Sequence, residues 1–181
     1  ENISLQASMT FFAIVTLLAF IATLIFVPSM PVREILSYGS QLKILKKPIV
    51  WTSIAAVIFC NGSIFSVFNY LADYLSSVAN FSPSLVSILL FVYGICNIFG
   101  SLIAGKLLTT IPSGTVKLFP FFVAAIYFVM FNSESSIIFA ILIILWGLLG
   151  GINANINQFW MARTAPQAPD FANGLFFTAA N

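Results

Sequence analysis

Long stretches of this chain carry no Asp, Glu, Lys or Arg, and nothing else in it constrains the fold as much. They run over 2–32, 48–72, 74–105, 118–133 and 135–162, with an apolar tail at 171–181. A helix of about 20 mostly apolar residues crosses the hydrocarbon core of a bilayer. Four of the stretches meet that length outright, and 118–133 meets it if Lys117 extends to the surface and the helix begins near Val116. Strand-type alternation is missing, and the runs far exceed the roughly ten residues of a barrel strand. The pattern predicts an all-α integral membrane protein, with helices at about 7–27, 49–71, 84–105, 116–132 and 137–160 and the start of another at 171–181. Composition points the same way: 7% of the 181 residues are charged, against about 25% in soluble domains. That leaves too little polar surface for a soluble fold, and it excludes a nucleic-acid binder and a disordered chain.

Proline and glycine punctuate these runs. Pro28 and Pro31 end the first helix, and Pro48 precedes the second. Ser82-Pro83 opens the third, with Ser82 as its cap. Pro112, Ser113 and Gly114 read as a turn, and Asp170 suits the N-cap of the last helix. The first 30 residues do not read as a signal peptide, because they lack a basic start and further spans follow. The expected organisation is one helix over 1–27, a linker over 28–48 and a helical bundle over 49–181. The chain begins at Glu1 and stops inside an apolar run at Asn181, so a piece of a longer protein is expected.

The few charges are distributed unevenly. Loops 28–48, 106–115 with the adjoining Lys117, and 161–170 hold Arg33, Lys43, Lys46, Lys47, Lys106, Lys117 and Arg163. Those are all 7 basic residues. The opposite loops, 72–83 and 133–136, hold Asp73 and Glu134 instead. By the positive-inside rule the basic loops are cytoplasmic. The Lys43–Lys47 cluster is read as part of that topology signal, with contact to anionic headgroups as the other reading.

Polar residues inside the spans are the best pointers to function. Gly62, Ser66, Asn69 and Asp73 follow one another at intervals of 4, 3 and 4, so they share a helix face, and Asn61 lies nearest that helix's midpoint. Tyr93, Asn97, Gly100 and Ala104 form a second stripe, and Trp146, Gly150, Asn153 and Asn157 a third. An amide facing lipid costs several kcal/mol, so these faces must meet other helices or a wet cavity. Both readings stand: amides as bonds between helices, or Asn61, Asn97 and Asn153 lining a shared cavity. Gly147-x-x-x-Gly151 reads as a packing surface.

Catalytic chemistry finds no support. The chain has no His, no nucleophile beside a base, and no phosphate-binding glycine loop. Cys60 and Cys96 are not spaced as a metal motif. Neither a cofactor nor a metal is expected. No carboxylate lies at mid-membrane depth, and Asp73, at a helix end, is the nearest candidate for ion coupling.

The order of features resembles the major facilitator superfamily, from its sixth helix to the start of its eleventh. The basic stretch 28–48 is similar to that family's central cytoplasmic linker, followed by Lys47-Pro48-Ile49-Val50-Trp51. Gly100, Gly105, Lys106 and Leu107 match the second copy of its loop motif, with Thr109 and Thr110 where an acid and a base are typical. Ala165 to Leu175, with Gln158, Trp160 and Arg163 before it, resembles the bacterial drug and sugar efflux branch, the arabinose-efflux-permease-like drug:proton antiporters. The resemblance implies the C-terminal half of a twelve-helix inner-membrane transporter with two similar halves around a midplane site, working by alternating access. It implies a small organic substrate such as a sugar or drug, a proton as coupling ion, and the lipid bilayer as surroundings. Asn61, Ser66, Tyr93, Asn97, Asn153 and Asn181 are the expected cavity residues. Gly100, Gly105, Lys106 and Asp170 are the loop and gating positions, and Asp73 is the candidate coupling acid. The alternatives are uptake by the same fold, or a membrane scaffold subunit that transports nothing.

Overall fold

The structure, a computed structural model, describes residues 5–28, 38–133 and 135–180. They belong to two units divided near residue 35. The first contains helix α1, Leu5–Phe26. Thr10, Thr16 and Thr23 each donate a 2.8 Å hydrogen bond to the carbonyl four residues back, at Gln6, Phe12 and Ala19. A hydroxyl in hydrocarbon needs such a partner, and the helix supplies it internally.

The second unit holds α2 (Tyr38–Leu42), a 3-10 turn (Lys43–Lys46), α3 (Pro48–Ser77), α4 (Pro83–Thr110), α5 (Pro112–Asn132), α6 (Ser136–Thr164) and α7 (Pro169–Ala180). Helices α1, α3, α4, α5 and α6 are long and apolar enough to cross a membrane. Among the described residues every regular element is helical. Proline occupies the first turn of α3, α4 and α5, where the missing N–H leaves no bond unmade. The Ser82 hydroxyl caps α4 by accepting from the Leu85 amide at 3.4 Å. That bond is long, so Ser82→Ala is expected to cost only about 0.5 kcal/mol, at the low end for a lost cap, read as a small drop in thermal unfolding temperature.

The helices outrun the charge-free stretches. α3 continues to Ser77, so Asp73 lies within a helix and not in a loop. α4 continues to Thr110, leaving Ile111 alone between it and α5. The turn expected at Pro112-Ser113-Gly114 is instead the first turn of α5, and the loop expected at 106–115 is mostly helix. Arg163 lies in α6, which ends at Thr164. Asp170 is not the N-cap of α7: Pro169 begins the helix, and Asp170 sits in its first turn, still at the positive end of the dipole. The cause is common to all of these. A charge marks where a segment leaves hydrocarbon, whereas a helix ends where its backbone bonding ends, a turn or more further on.

Helix α6 is the centre of the second unit. Its largest interface is with α4, and it also packs on α3, α5 and α7. Trp146, Phe139 and Ile143 of α6 are fully buried, together with Leu71 and Leu75 of α3. A second apolar cluster gathers Ile44 of the 3-10 turn, Val50 and Val57 of α3, Met161 of α6, and Ala172 and Phe176 of α7. Beside it Ser53 shares a 3.1 Å hydrogen bond with Thr164, and Lys47 Nζ donates to Gln167 Oε1 at 3.1 Å.

Candidate functional site

Two polar faces of α6 meet two different helices. On the α4 side the contact depends on glycine. A β-carbon at Gly147 would lie 2.8 Å from the Tyr93 carbonyl oxygen and 2.9 Å from Cys96 Cβ. One at Gly150 would lie 2.8 Å from Asn97 Nδ2 and 2.9 Å from the Tyr93 hydroxyl. At Gly151 it would strike the Asn97 carbonyl oxygen, and at Gly100 the Leu148 carbonyl oxygen. Backbone therefore lies on backbone along this seam, as small residues permit between membrane helices. Ser101 Oγ reaches the Gly151 carbonyl oxygen at 3.4 Å and that of Asn97 at 3.2 Å. Trp146 closes the seam, its ring 5.0 Å from Tyr93, 6.3 Å from Tyr127 and 6.4 Å from Phe68.

On the α3 side the contact is an amide cluster. Asn153 Nδ2 donates to Asn61 Oδ1 at 2.6 Å, and Asn157 Nδ2 donates to the same oxygen at 3.1 Å. Asn157 Nδ2 also reaches Asn153 Oδ1 at 3.0 Å. All three residues are buried, at 4 to 7% exposure. Asn61 faces two ways, because it also walls a cleft of about 400 Å³ between α3 and α7. The rest of that wall includes Ile58, Gly62, Phe65, Asn69 and Ala179. Its polar groups are neutral amides, which donate and accept hydrogen bonds without imposing a charge.

The expected cavity residues therefore divide. Asn61 and Asn153 meet. Tyr93 is buried and Asn97 half-buried in the α4–α6 seam, so the expected meeting of Asn97 with the other two amides does not occur. Ser66 is exposed and lines a different, mainly apolar cleft of about 390 Å³ between α3 and α5, with Tyr70 and Tyr127. Asp73, Gly105, Lys106 and Asp170 are exposed, and Gly100 is buried. Asn181 lies outside the described residues. Two residues of the site were absent from the expected set, Asn157 and Asn69. Their signal was present, since Asn157 stands one turn beyond Asn153 and Asn69 lies two turns beyond Gly62.

Several long apolar helices around a buried, uncharged polar centre define a multi-pass membrane protein. The Major Facilitator Superfamily profile matches residues 1–181, and the chain belongs to that family. It is 26% identical over 157 residues to a protein of Helicobacter acinonychis (strain Sheeba) named "Probable sugar efflux transporter", covering 85% of this chain and 40% of that protein. A protein of the same name from Helicobacter pylori (strain G27) is 26% identical over 158 residues, with the same 85% and 40% coverage. The "Inner membrane transport protein YdhP" of Escherichia coli (strain K12) is 24% identical over 142 residues, covering 78% of this chain and 36% of YdhP. The chain thus spans 40% of the length of the first two curated relatives.

Proposed function

We propose that this chain forms part of a secondary active transporter of the bacterial inner membrane that exports small organic molecules, sugar-like or drug-like, by alternating access coupled to protons. The carrying observation is Asn61, which is tied to Asn153 and Asn157 on one side and walls the α3–α7 cleft on the other. A rearrangement of α3 against α6 must break or remake those bonds, so cleft shape and helix packing are coupled through one side chain. The names of the relatives support an exported sugar. The neutral amide walls suit a polyhydroxylated, uncharged cargo better than an ion. No carboxylate stands among the described residues that wall the cleft, so a proton site in another part of the transporter is part of this reading. In the same reading the basic ends of the helices face the cytoplasm, and the chain supplies the C-terminal half of the transporter.

The test is export from cells, and uptake into everted vesicles under an imposed pH gradient, by the full-length protein with labelled neutral sugars. Gradient-dependent accumulation in everted vesicles supports export. Accumulation only in right-side-out vesicles would reverse the direction, and none for any neutral solute would sink the reading.

A second reading, a non-transporting scaffold, is favoured by the bonds that Asn153 and Asn157 of α6 make to Asn61 of α3. Cysteine labelling separates the two in a background lacking Cys60 and Cys96. In a transporter, Asn69→Cys is expected to react with a membrane-impermeant maleimide and to be protected by cargo, while Asn153→Cys stays unlabelled. A scaffold leaves labelling at 69 indifferent to every solute.

A further inference from the structure

We propose a lipid site: the groove between α4, α5 and α6 seats an acyl chain of an anionic phospholipid, and Lys106 and Lys117 hold its phosphate. The groove encloses about 360 Å³ and exposes no polar surface. Its walls include Leu107 and Ile111 at the end of α4, Leu118 and Phe122 of α5, and Leu149 and Ile152 of α6. From Gly114 to Phe122 it follows α5 for about 12 Å at the helical rise. One leaflet of a bilayer is about 15 Å of hydrocarbon. The groove therefore matches most of one leaflet, beginning at the helix ends where headgroups lie.

Charge chooses the kind of lipid. Lys106 and Lys117 are exposed, and each adjoins a wall residue of the groove, Leu107 and Leu118. α4 and α5 contain no Asp or Glu, so no carboxylate on these helices neutralises either lysine. The cleft between α3 and α5 offers a comparison within the same bundle: its walls include Tyr70, Tyr74 and Tyr127, and no lysine adjoins any of its lining residues in sequence. Long lysine side chains reach headgroup phosphates while their stems stay in apolar surroundings. Gly114 gives the site a handle. It lines the groove, and a β-carbon there would meet nothing within 4 Å. A larger side chain therefore starts in open space, and its outer atoms are expected to occupy the groove.

The experiment is native mass spectrometry of the full-length protein in detergent, titrated with phosphatidylglycerol or with phosphatidylcholine of the same acyl chains. Phosphatidylglycerol is expected to bind at least tenfold more tightly. A basic residue near an anionic lipid contributes ~1 kcal/mol, about fivefold, so Lys106→Gln with Lys117→Gln should weaken phosphatidylglycerol about thirtyfold and phosphatidylcholine little. Gly114→Phe should weaken both lipids at an unchanged melting temperature. Equal binding of the two lipids, or an unchanged phosphatidylglycerol affinity in the lysine pair or in Gly114→Phe, overturns the proposal. If another segment of the chain or a second copy fills the groove, Gly114→Phe instead lowers the melting temperature or the oligomeric state and leaves lipid binding alone, which overturns it equally.

Discussion

Gly151→Val is expected to be among the most damaging single substitutions in this bundle. The new β-carbon would overlap the carbonyl oxygen of Asn97 and lie 2.7 Å from the Ser101 amide nitrogen. Both are backbone atoms inside α4, so no rotamer change relieves the contact. Either α4 moves away from α6 along its largest interface, or the helices do not dock. Overpacking typically costs about 1–3 kcal/mol, and a backbone-on-backbone clash belongs at or beyond the upper end. Gly100→Ala should behave in the same way, since its β-carbon would strike the Leu148 carbonyl oxygen. The controls are Gly94→Ala and Gly105→Ala on α4, where nothing lies within 4 Å. There alanine removes backbone freedom from the unfolded chain and should stabilise by up to about 1 kcal/mol. Thermal unfolding of the purified full-length protein, followed by monodispersity on a sizing column, reads the contrast. Equal melting temperatures for Gly151→Val and Gly105→Ala would show that the helices do not pack through this seam.

Spacing alone did not distinguish these glycines. Gly62, Ser66, Asn69 and Asp73 repeat with the same helical interval as Trp146, Gly150, Asn153 and Asn157. The first set is exposed in this chain and the second is buried. A repeat of three and four places residues on one face, but the neighbour of that face is decided by tertiary packing. Membrane class and helix order were legible because lipid forbids unpaired polar backbone and nearly forbids charge, which leaves a signal in every span. The meeting of Asn61 with Asn153 joins residues 92 positions apart, and no local pattern carries that. Asn97 shows the converse. It lies at a similar depth on α4, yet the glycines of α6 draw it into the seam, because α4 and α6 approach so closely there.

Asn61→Leu is expected to damage packing and transport together, and comparison with Asn69→Leu separates the two effects. Asn61 Oδ1 accepts from both Asn153 and Asn157, so leucine removes the shared acceptor. Asn157 keeps a bond to Asn153 Oδ1, while the Asn153 amide group loses its acceptor on α3. A buried donor left without a partner costs about 1–3 kcal/mol in soluble proteins. Interhelical bonds in membranes average nearer about 0.6 and reach about 1.7 kcal/mol, so a loss of about 2 kcal/mol for two bonds is expected. The Asn61→Leu and Asn153→Leu pair should then be non-additive by about 1 kcal/mol, because either change alone breaks the bond they share. Asn69 walls the same cleft but is exposed, so Asn69→Leu should shift stability by no more than about 0.5 kcal/mol. If the cleft receives cargo, Asn69→Leu raises the KM for transport severalfold at an unchanged melting temperature, and Asn61→Leu lowers rate and stability together. A fall in transport that merely follows stability across both variants would assign the amides to helix packing alone. The cleft and the amide cluster share the Asn61 side chain, so the variant that leaves that side chain in place carries the decision.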